Sequence, residues 1–374
     1  MSQIVSSFSK KNKAFLKSYF RSLLISLILV AIFNIIIDPY QYFFTPKITG
    51  LNAIKPEYEK HIMLSKAAEA KQIKAETIIL GSSRIMSGIE SSYDLFKKSD
   101  KVFNLGLPGI NMYQSLQYFK HALYFQKDIK LVIIGIDFFM FNDYLDNLDN
   151  FDEERLEKRL SIQDSIGTTL SIDTLAASLK TLDINRKNER EKNQESTTKK
   201  FQRWLTNFLE FRGFYKTYRL SQKQLDSLKL IIDLCRANNI DYRVFISPTH
   251  ATQYEAIEVA GLWTTFEKWK KEVVKITPVW DFSGYNSITT EVISESMTNY
   301  IDNSHYSSHT GELVLNKIFA YQADKIPQDF GIFVDRGNLA SHLHQIRLNR
   351  DRWRQNNVRE VELVRKIQTN VDRR

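Results

Sequence analysis

Serine, histidine and acidic residues in this sequence stand at spacings that suit nucleophilic acyl chemistry. Ser82 and Ser83 follow the apolar run at 77–80, and His305 stands three residues after Asp302. The chemistry needs a serine hydroxyl on a tight turn, a histidine within hydrogen-bonding reach and an acid that orients the imidazole. We predict Ser83 as the nucleophile with Ser82 as its competitor, His305 as the general base and Asp302 as the orienting acid.

Further glycines and polar residues follow the other apolar runs, where they would bind a substrate or its oxyanion. A glycine lets the chain turn sharply and bring backbone N–H groups close to a substrate. An arginine binds anionic groups, although a structural ion pair is the alternative for the one found here. These candidates are Arg84, Gly109, Asn111, Asp137 and His250.

Simpler roles compete with the catalytic ones. A serine before a helix caps the free N–H groups of its first turn, which would suit Ser82 and Ser83 equally. His309 is a second candidate base, but the His305–His309 pair lacks the further ligand that a zinc site requires. Cys235 is the single cysteine, which excludes internal disulfides and zinc sites built on paired cysteines. We expect neither a metal nor a cofactor.

Short β-branched runs alternate with helical patterns after residue 54, which predicts an α/β fold with a central parallel sheet and helices on both faces. In such sheets ligands bind at the carboxyl ends of the strands, where the candidate residues lie. The predicted strands are 77–80, 101–105, 131–136, 242–246 and 278–282. The predicted helices are 54–73, 112–126, 219–238, 251–275 and 309–323.

The connection after the third predicted strand is too long for a simple loop. Residues from about 140 to 217 form a mostly helical insertion, and the charged string at 186–200 predicts a mobile loop within it. The insertion leaves from the end of a central strand. It would therefore form a lid or a partner-binding cap, or else a solvated excursion without a role.

An apolar run at 22–37 predicts a membrane anchor over residues 22–40, with a buried core helix as the alternative. All five basic residues that flank the run precede it, and no A-x-A cleavage site follows. We therefore expect residues 1–21 in the cytoplasm, a single pass through the inner membrane, and a periplasmic or extracytoplasmic domain over residues 45–335.

The net charge of +9 lies at the two ends of the chain. Residues 1–21 carry +5 and residues 336–374 carry +6, which leaves −2 for the rest. The body of the protein is thus nearly neutral, and no nucleic acid partner is expected. The segment 336–374 predicts a basic amphipathic helix that is solvated, or that contacts anionic lipid or the insertion.

Three strings resemble the conserved blocks of the SGNH/GDSL hydrolases: TIILGSSR, NLGLPGIN and DNSHYSSHTG. The resemblance covers roughly residues 74–324 and implies a flavodoxin-like three-layer fold. It implies Ser83 as the nucleophile, Asp302 and His305 as its partners, and Gly109 as an oxyanion N–H donor. The string GIDFF departs from the family, because Asp137 stands where an asparagine side chain would donate to the oxyanion.

The resemblance extends to membrane-anchored proteins of alginate acetylation and teichoic acid D-alanylation. It implies a serine esterase or O-acyltransferase acting on acyl groups, acetyl above all, of a cell-envelope glycan. It also implies an acyl donor and a membrane-bound O-acyltransferase as partners. Asp137 and the insertion favour an alternative, a catalytically inactive glycan-binding or scaffold protein of a polysaccharide-modification complex.

Overall fold

The structure, a computed structural model, describes residues 2–96, 101–149, 151–158, 162–187 and 195–374. Residues 188–194 of the predicted mobile loop lie outside the described residues. The chain divides into two units, which are described separately. The first comprises residues 1–69 and 152–192, and the second comprises residues 70–151 and 193–374.

The first unit is helical. Among the described residues, one segment, Asn12–Ile37, is long and apolar enough to cross a membrane, a criterion that a signal sequence also meets. Near the end of this helix, the Asn34 side chain donates to the Thr169 carbonyl at 2.8 Å. The helices are α1 (Ser2–Ile37), α2 (Ile62–Gln72, which continues into the second unit), α5 (Glu153–Lys158), α6 (Ile162–Leu170) and α7 (Ile172–Lys187).

The second unit contains a six-stranded sheet. Its strands are β1 (Thr77–Gly81), β2 (Val102–Gly106), β3 (Leu131–Ile136), β4 (Asp241–Ile246), β5 (Val279–Asp281) and β6 (Ile332–Val334). The order is β2-β1-β3-β4-β5-β6, so β1 to β5 have the flavodoxin-like 2-1-3-4-5 arrangement. The five predicted strands are parallel to one another, as expected. A sixth strand that was not predicted, β6, pairs antiparallel with β5 at the edge.

The sheet is covered on both faces, which gives three layers. Ile79 and Phe245 belong to one core cluster with Ile85 of the helix that follows β1 and Leu313 of a late helix. Since side chains alternate along a strand, the fully buried neighbour Ile78 faces the opposite side. The helices of the second unit are α3 (Ser83–Gly88), α4 (Met112–Phe125), α8 (Thr197–Glu210), α9 (Gln222–Ala237), α10 (Ala251–Val259), α11 (Trp263–Ile276), α12 (Ser308–Phe319), α13 (Leu339–Asn356) and α14 (Val358–Asp372).

Two predicted long helices are each broken into two. The helix predicted at 251–275 stops at Val259, and Gly261 at φ 71° turns the chain before α11 begins. The single helix predicted over 336–374 is α13 and α14, which meet at Asn357. Apolar residues keep a helical spacing on both sides of each break, so the sequence pattern predicted one continuous helix in each case.

The C-terminal helices pack their apolar faces against other helices of the second unit, while most of their polar residues stay exposed. Arg347 pairs with Glu267 at 2.7 Å, and Arg350 pairs with Glu258 at 2.9 Å. Trp353 is buried. Helix α14 also contacts α8, which belongs to the predicted insertion. Four of the basic residues in this segment therefore form ion pairs with glutamates elsewhere in the second unit: Arg347, Arg350, Arg354 and Arg374.

Candidate active site

The turn between β1 and α3 separates the roles of its two serines. Gly81 has φ 153°, and a Cβ there would lie 2.7 Å from the Gly135 carbonyl oxygen, so only glycine fits. Ser82 is fully buried and caps α3, with its Oγ accepting from the Arg84 N–H at 3.2 Å. Ser83 is half-buried at the first position of the helix. Of the two hydroxyls, that of Ser83 is the one open to a ligand.

The loop before α12 carries the histidine and the acid. Asp302 accepts from the backbone N–H groups of Ser304 and His305, both at 2.8 Å, which shapes the loop as a tight turn. Its Oδ2 lies 2.9 Å from His305 Nδ1, and His305 Nε2 lies 2.9 Å from Ser83 Oγ. The carboxylate places the imidazole proton on Nδ1, which leaves Nε2 free to accept from the Ser83 hydroxyl.

A buried ion pair lies under this arrangement. Arg84 Nη1 donates to Asp137 Oδ1 at 2.6 Å, and Ser82 Oγ donates to Asp137 Oδ2 at 2.5 Å. The other guanidinium nitrogens of Arg84 donate to Ser304 Oγ at 3.1 and 3.2 Å. Burial would lower the pKa of Arg84, but the carboxylate of Asp137 raises it above its ordinary value. Of the alternatives for Arg84, the structure has the ion pair.

Gly109 and Asn111 lie in the loop after β2. Gly109 has φ 63°, a left-handed conformation that favours glycine, and it is half-buried. Asn111 is the N-cap of α4: its Oδ1 accepts from the Gln114 N–H at 2.9 Å, and its Nδ2 donates to the Leu145 carbonyl at 3.1 Å. The side chain of Asn111 is thus engaged by the protein as a helix cap, and its contact with a substrate remains a prediction.

His250 and His309 take no part in the Ser83 hydrogen-bond chain. His250 is buried at the start of α10, where Nε2 donates to the Glu291 carbonyl at 2.7 Å and Nδ1 accepts from the Thr252 N–H. Burial lowers the pKa of His250 to about 4, so the ring is neutral at pH 7. His309 is exposed on α12. Both ring nitrogens of His250 have protein partners, and its backbone N–H donates to the Asn303 carbonyl of the loop with Asp302 and His305 at 3.1 Å. That His250 lines the site remains a prediction.

Helix α8 contributes residues that the sequence did not single out. The ring of Trp204 lies 4.8 Å from that of His305, centroid to centroid, at an interplanar angle of 68°. The ring of Phe208 lies 5.8 Å from the guanidinium carbon of Arg84. No local signal marks these aromatic residues, because they stand about a hundred residues from either partner. Ser304 was within reach of sequence reasoning, since it directly precedes His305.

No family model matches the sequence, and no curated protein matches it either. Three solved structures are similar in part. An inferred acylhydrolase from Bacteroides fragilis NCTC 9343 has 11% identity and a TM-score of 0.35, covering 69% of this chain and 94% of its own. A protein from Streptococcus pneumoniae, inferred to be a platelet activating factor, has 12% identity and a TM-score of 0.35, covering 70% and 91%. A GDSL-like lipase from Bacteroides thetaiotaomicron VPI-5482 has 12% identity and a TM-score of 0.33, covering 71% and 97%.

Proposed function

We propose that the protein is a serine esterase or O-acyltransferase that acts on acyl esters of a cell-envelope glycan. The observation that carries the proposal is the unbroken hydrogen-bond chain from Ser83 through His305 to Asp302. It lies after β1, beside β3, where the strand order reverses, which is the position at which open α/β sheets bind ligands. A half-buried hydroxyl bonded to an oriented imidazole is an activated nucleophile.

The chemistry follows from the direction of these hydrogen bonds. Ser83 Oγ attacks the ester carbonyl while its proton passes to His305 Nε2, and Asp302 stabilises the resulting imidazolium. Collapse of the tetrahedral intermediate breaks the ester C–O bond, and His305 returns the proton to the departing alkoxide. Water then attacks the acyl-enzyme to complete hydrolysis, or a sugar hydroxyl attacks it to complete transfer. Both outcomes use the same three side chains.

The oxyanion is assigned to backbone donors. The N–H of Ser83 is the first of α3, and Gly109 turns the β2–α4 loop with a left-handed φ. Among the described residues, neither N–H has a hydrogen-bond acceptor. Asp137 is held by Ser82 and Arg84, so its carboxylate is neutralised within the protein. The departure from the family's asparagine thus removes one donor without placing a free negative charge at the oxyanion.

Serine reagents and point variants test this function on the full chain in detergent. Wild-type protein is expected to hydrolyse 4-nitrophenyl acetate and to be labelled by a fluorophosphonate at Ser83. Ser83→Ala should lose both, whereas Ser87→Ala, an exposed serine on the same helix, should keep them. Full activity in Ser83→Ala would overturn the nucleophile. A wild-type protein that neither hydrolyses nor labels would favour the inactive glycan-binding alternative.

We extend the proposal to a membrane anchor at α1. Residues 12–29 are exposed along the helix although they are mostly apolar, and five basic residues precede the apolar run. This pattern supports a cytoplasmic N-terminus with residues 45–374 outside the cytoplasm. The full chain should stay in the membrane fraction after alkaline carbonate, and a C-terminal alkaline phosphatase fusion should be active. Recovery of a shortened chain, cleaved after α1, would instead identify a signal sequence.

A further inference from the structure

Helix α8 covers the candidate active site with two aromatic residues one helical turn apart. Trp204 contacts His305 and Phe208 lies over Arg84, the residue that follows Ser83. Side chains four positions apart lie on the same face of a helix, so a single placement of α8 sets both contacts.

The amphipathic pattern of α8 explains why Trp204 is only half-buried. Phe201, Leu205 and Phe208 are buried on its inner face. Trp204 stands at the margin of that face, where one part of the indole packs against His305 and the remainder is open to solvent. An aromatic surface thus borders the position where a substrate would approach Ser83.

The solvent side of Trp204 is polar, whereas the ring of Phe208 lies 6.5 Å away on the inner side. Gln202 and Arg203 are exposed beside it, and the guanidinium of Arg203, which pairs with Glu195 at 2.9 Å, lies over the indole at 5.5 Å. A pocket for a long acyl chain would need apolar walls on all sides. An aromatic face flanked by hydrogen-bonding groups instead matches a sugar ring, which has an apolar C–H face and a polar rim of hydroxyl groups.

The C-terminal helix α14 packs against α8 and fixes its position. Arg374 pairs with Glu210 at the end of α8 at 3.1 Å. Val364 and Val371 are buried on α14. The indole is therefore presented on a braced helix, which lowers the conformational entropy lost when a ligand stacks on it.

We propose that Trp204 is the sugar-binding residue of this site and stacks on the pyranose ring that carries the acyl ester. The inference rests on the proposed function, since it places the sugar relative to Ser83 and His305. In this arrangement the ester carbon lies at Ser83, the leaving or accepting oxygen faces His305 Nε2, and the C–H face of the ring lies on the indole. Trp204 then determines preference for sugar esters over simple esters.

The test compares a sugar ester with an ester that has no sugar ring. The ratio of kcat/KM for glucose pentaacetate to kcat/KM for 4-nitrophenyl acetate is measured for the full chain in detergent. Trp204→Ala and Trp204→Leu should lower this ratio about tenfold or more, chiefly through KM, whereas Trp204→Phe should retain part of it. Phe211→Ala is the matched control: this ring is exposed at the end of α8 and contacts Phe214.

A binding measurement tests this inference separately from the proposed function. Ser83→Ala should bind glucose pentaacetate in calorimetry, and Ser83→Ala/Trp204→Ala should not. If Trp204 supports binding but wild-type protein hydrolyses no ester, the sugar site stands and the enzyme proposal fails. An unchanged ratio in Trp204→Ala would overturn the sugar site. So would an equal loss on both esters with a shifted pH profile, since that result would make Trp204 a positioning residue for His305.

Discussion

The guanidinium of Arg84 lies 2.6 Å from the carboxylate of Asp137, and both side chains are almost completely buried. Arg84 directly follows Ser83, and its remaining donors reach Ser304, which directly precedes His305. One ion pair therefore joins the end of β3, the turn with the proposed nucleophile and the loop with the proposed base. Since a buried charge is tolerated only when it is paired, each of these segments depends on the other two.

Loss of the carboxylate should strongly destabilise the second unit. Asp137→Asn leaves the buried charge of Arg84 unpaired, and we expect the free energy of unfolding to fall by about 3–5 kcal/mol. All five tryptophans lie in this unit, so urea unfolding followed by tryptophan fluorescence reports on it. Asp233→Asn, which removes an exposed pair with Lys229, should cost less than about 1 kcal/mol. Equal effects of the two substitutions would contradict this prediction.

The two histidines near α12 should behave differently. His305→Ala removes the acceptor for the Ser83 proton, so the rate of fluorophosphonate labelling should fall by about 10⁴-fold. His309→Ala changes an exposed ring that takes no part in the Ser83 chain, and its labelling rate should stay close to wild type. A comparable loss in both variants would show that labelling does not depend on the Ser83–His305 hydrogen bond.

Buried His250 should make stability depend on pH. Its pKa is about 4 in the folded protein because of burial, whereas it is about 6.5 when unfolded. The unfolded chain therefore binds a proton between these values that the folded protein does not, so stability falls as the pH drops through this window. The contribution between pH 7 and pH 5 is about 2 kcal/mol.

The variant His250→Asn isolates the contribution of His250 to the pH dependence of stability, because asparagine retains an N-cap oxygen but does not titrate. The difference between its free energies of unfolding at pH 7 and pH 5 should be smaller than that of wild type. Urea unfolding at the two pH values measures both differences. An unchanged difference would mean that His250 is charged in the folded protein at pH 5.

Close packing of α3 against α12 should not tolerate a side chain at Gly311. A Cβ there would lie 1.7 Å from the Gly88 carbonyl oxygen, which is backbone and cannot rotate away. Gly311→Ala should therefore force the helices apart and cost about 1–3 kcal/mol, although alanine favours a helix. Glu312→Ala, at the next position, adds no atom towards Gly88 and serves as the control. A more stable Gly311→Ala protein would contradict the observed approach.

Local pattern was sufficient for most of the sheet. The strand predicted at 131–136 has those bounds in the structure, and the other four predicted strands end within one residue of the observed limits. A run of β-branched residues between turn-forming residues marks where a strand begins and ends, and these residues are neighbours in the sequence. β6 escaped prediction because it has three residues, two of which are exposed, so it lacks a buried run. It exists because β5 offers an open edge for pairing.

The sequence by itself determined which residues follow strands, and so it placed Ser83 after β1 and the Asp302–His305 spacing in the last loop. Only the tertiary structure decided which of them meet. Ser83 and His305 are 222 residues apart and approach because the packing of α3 against α12 joins their loops. The strand order sets β1 beside β3, so Arg84 reaches Asp137. Contacts of this range depend on burial shared by distant segments, which no local pattern encodes.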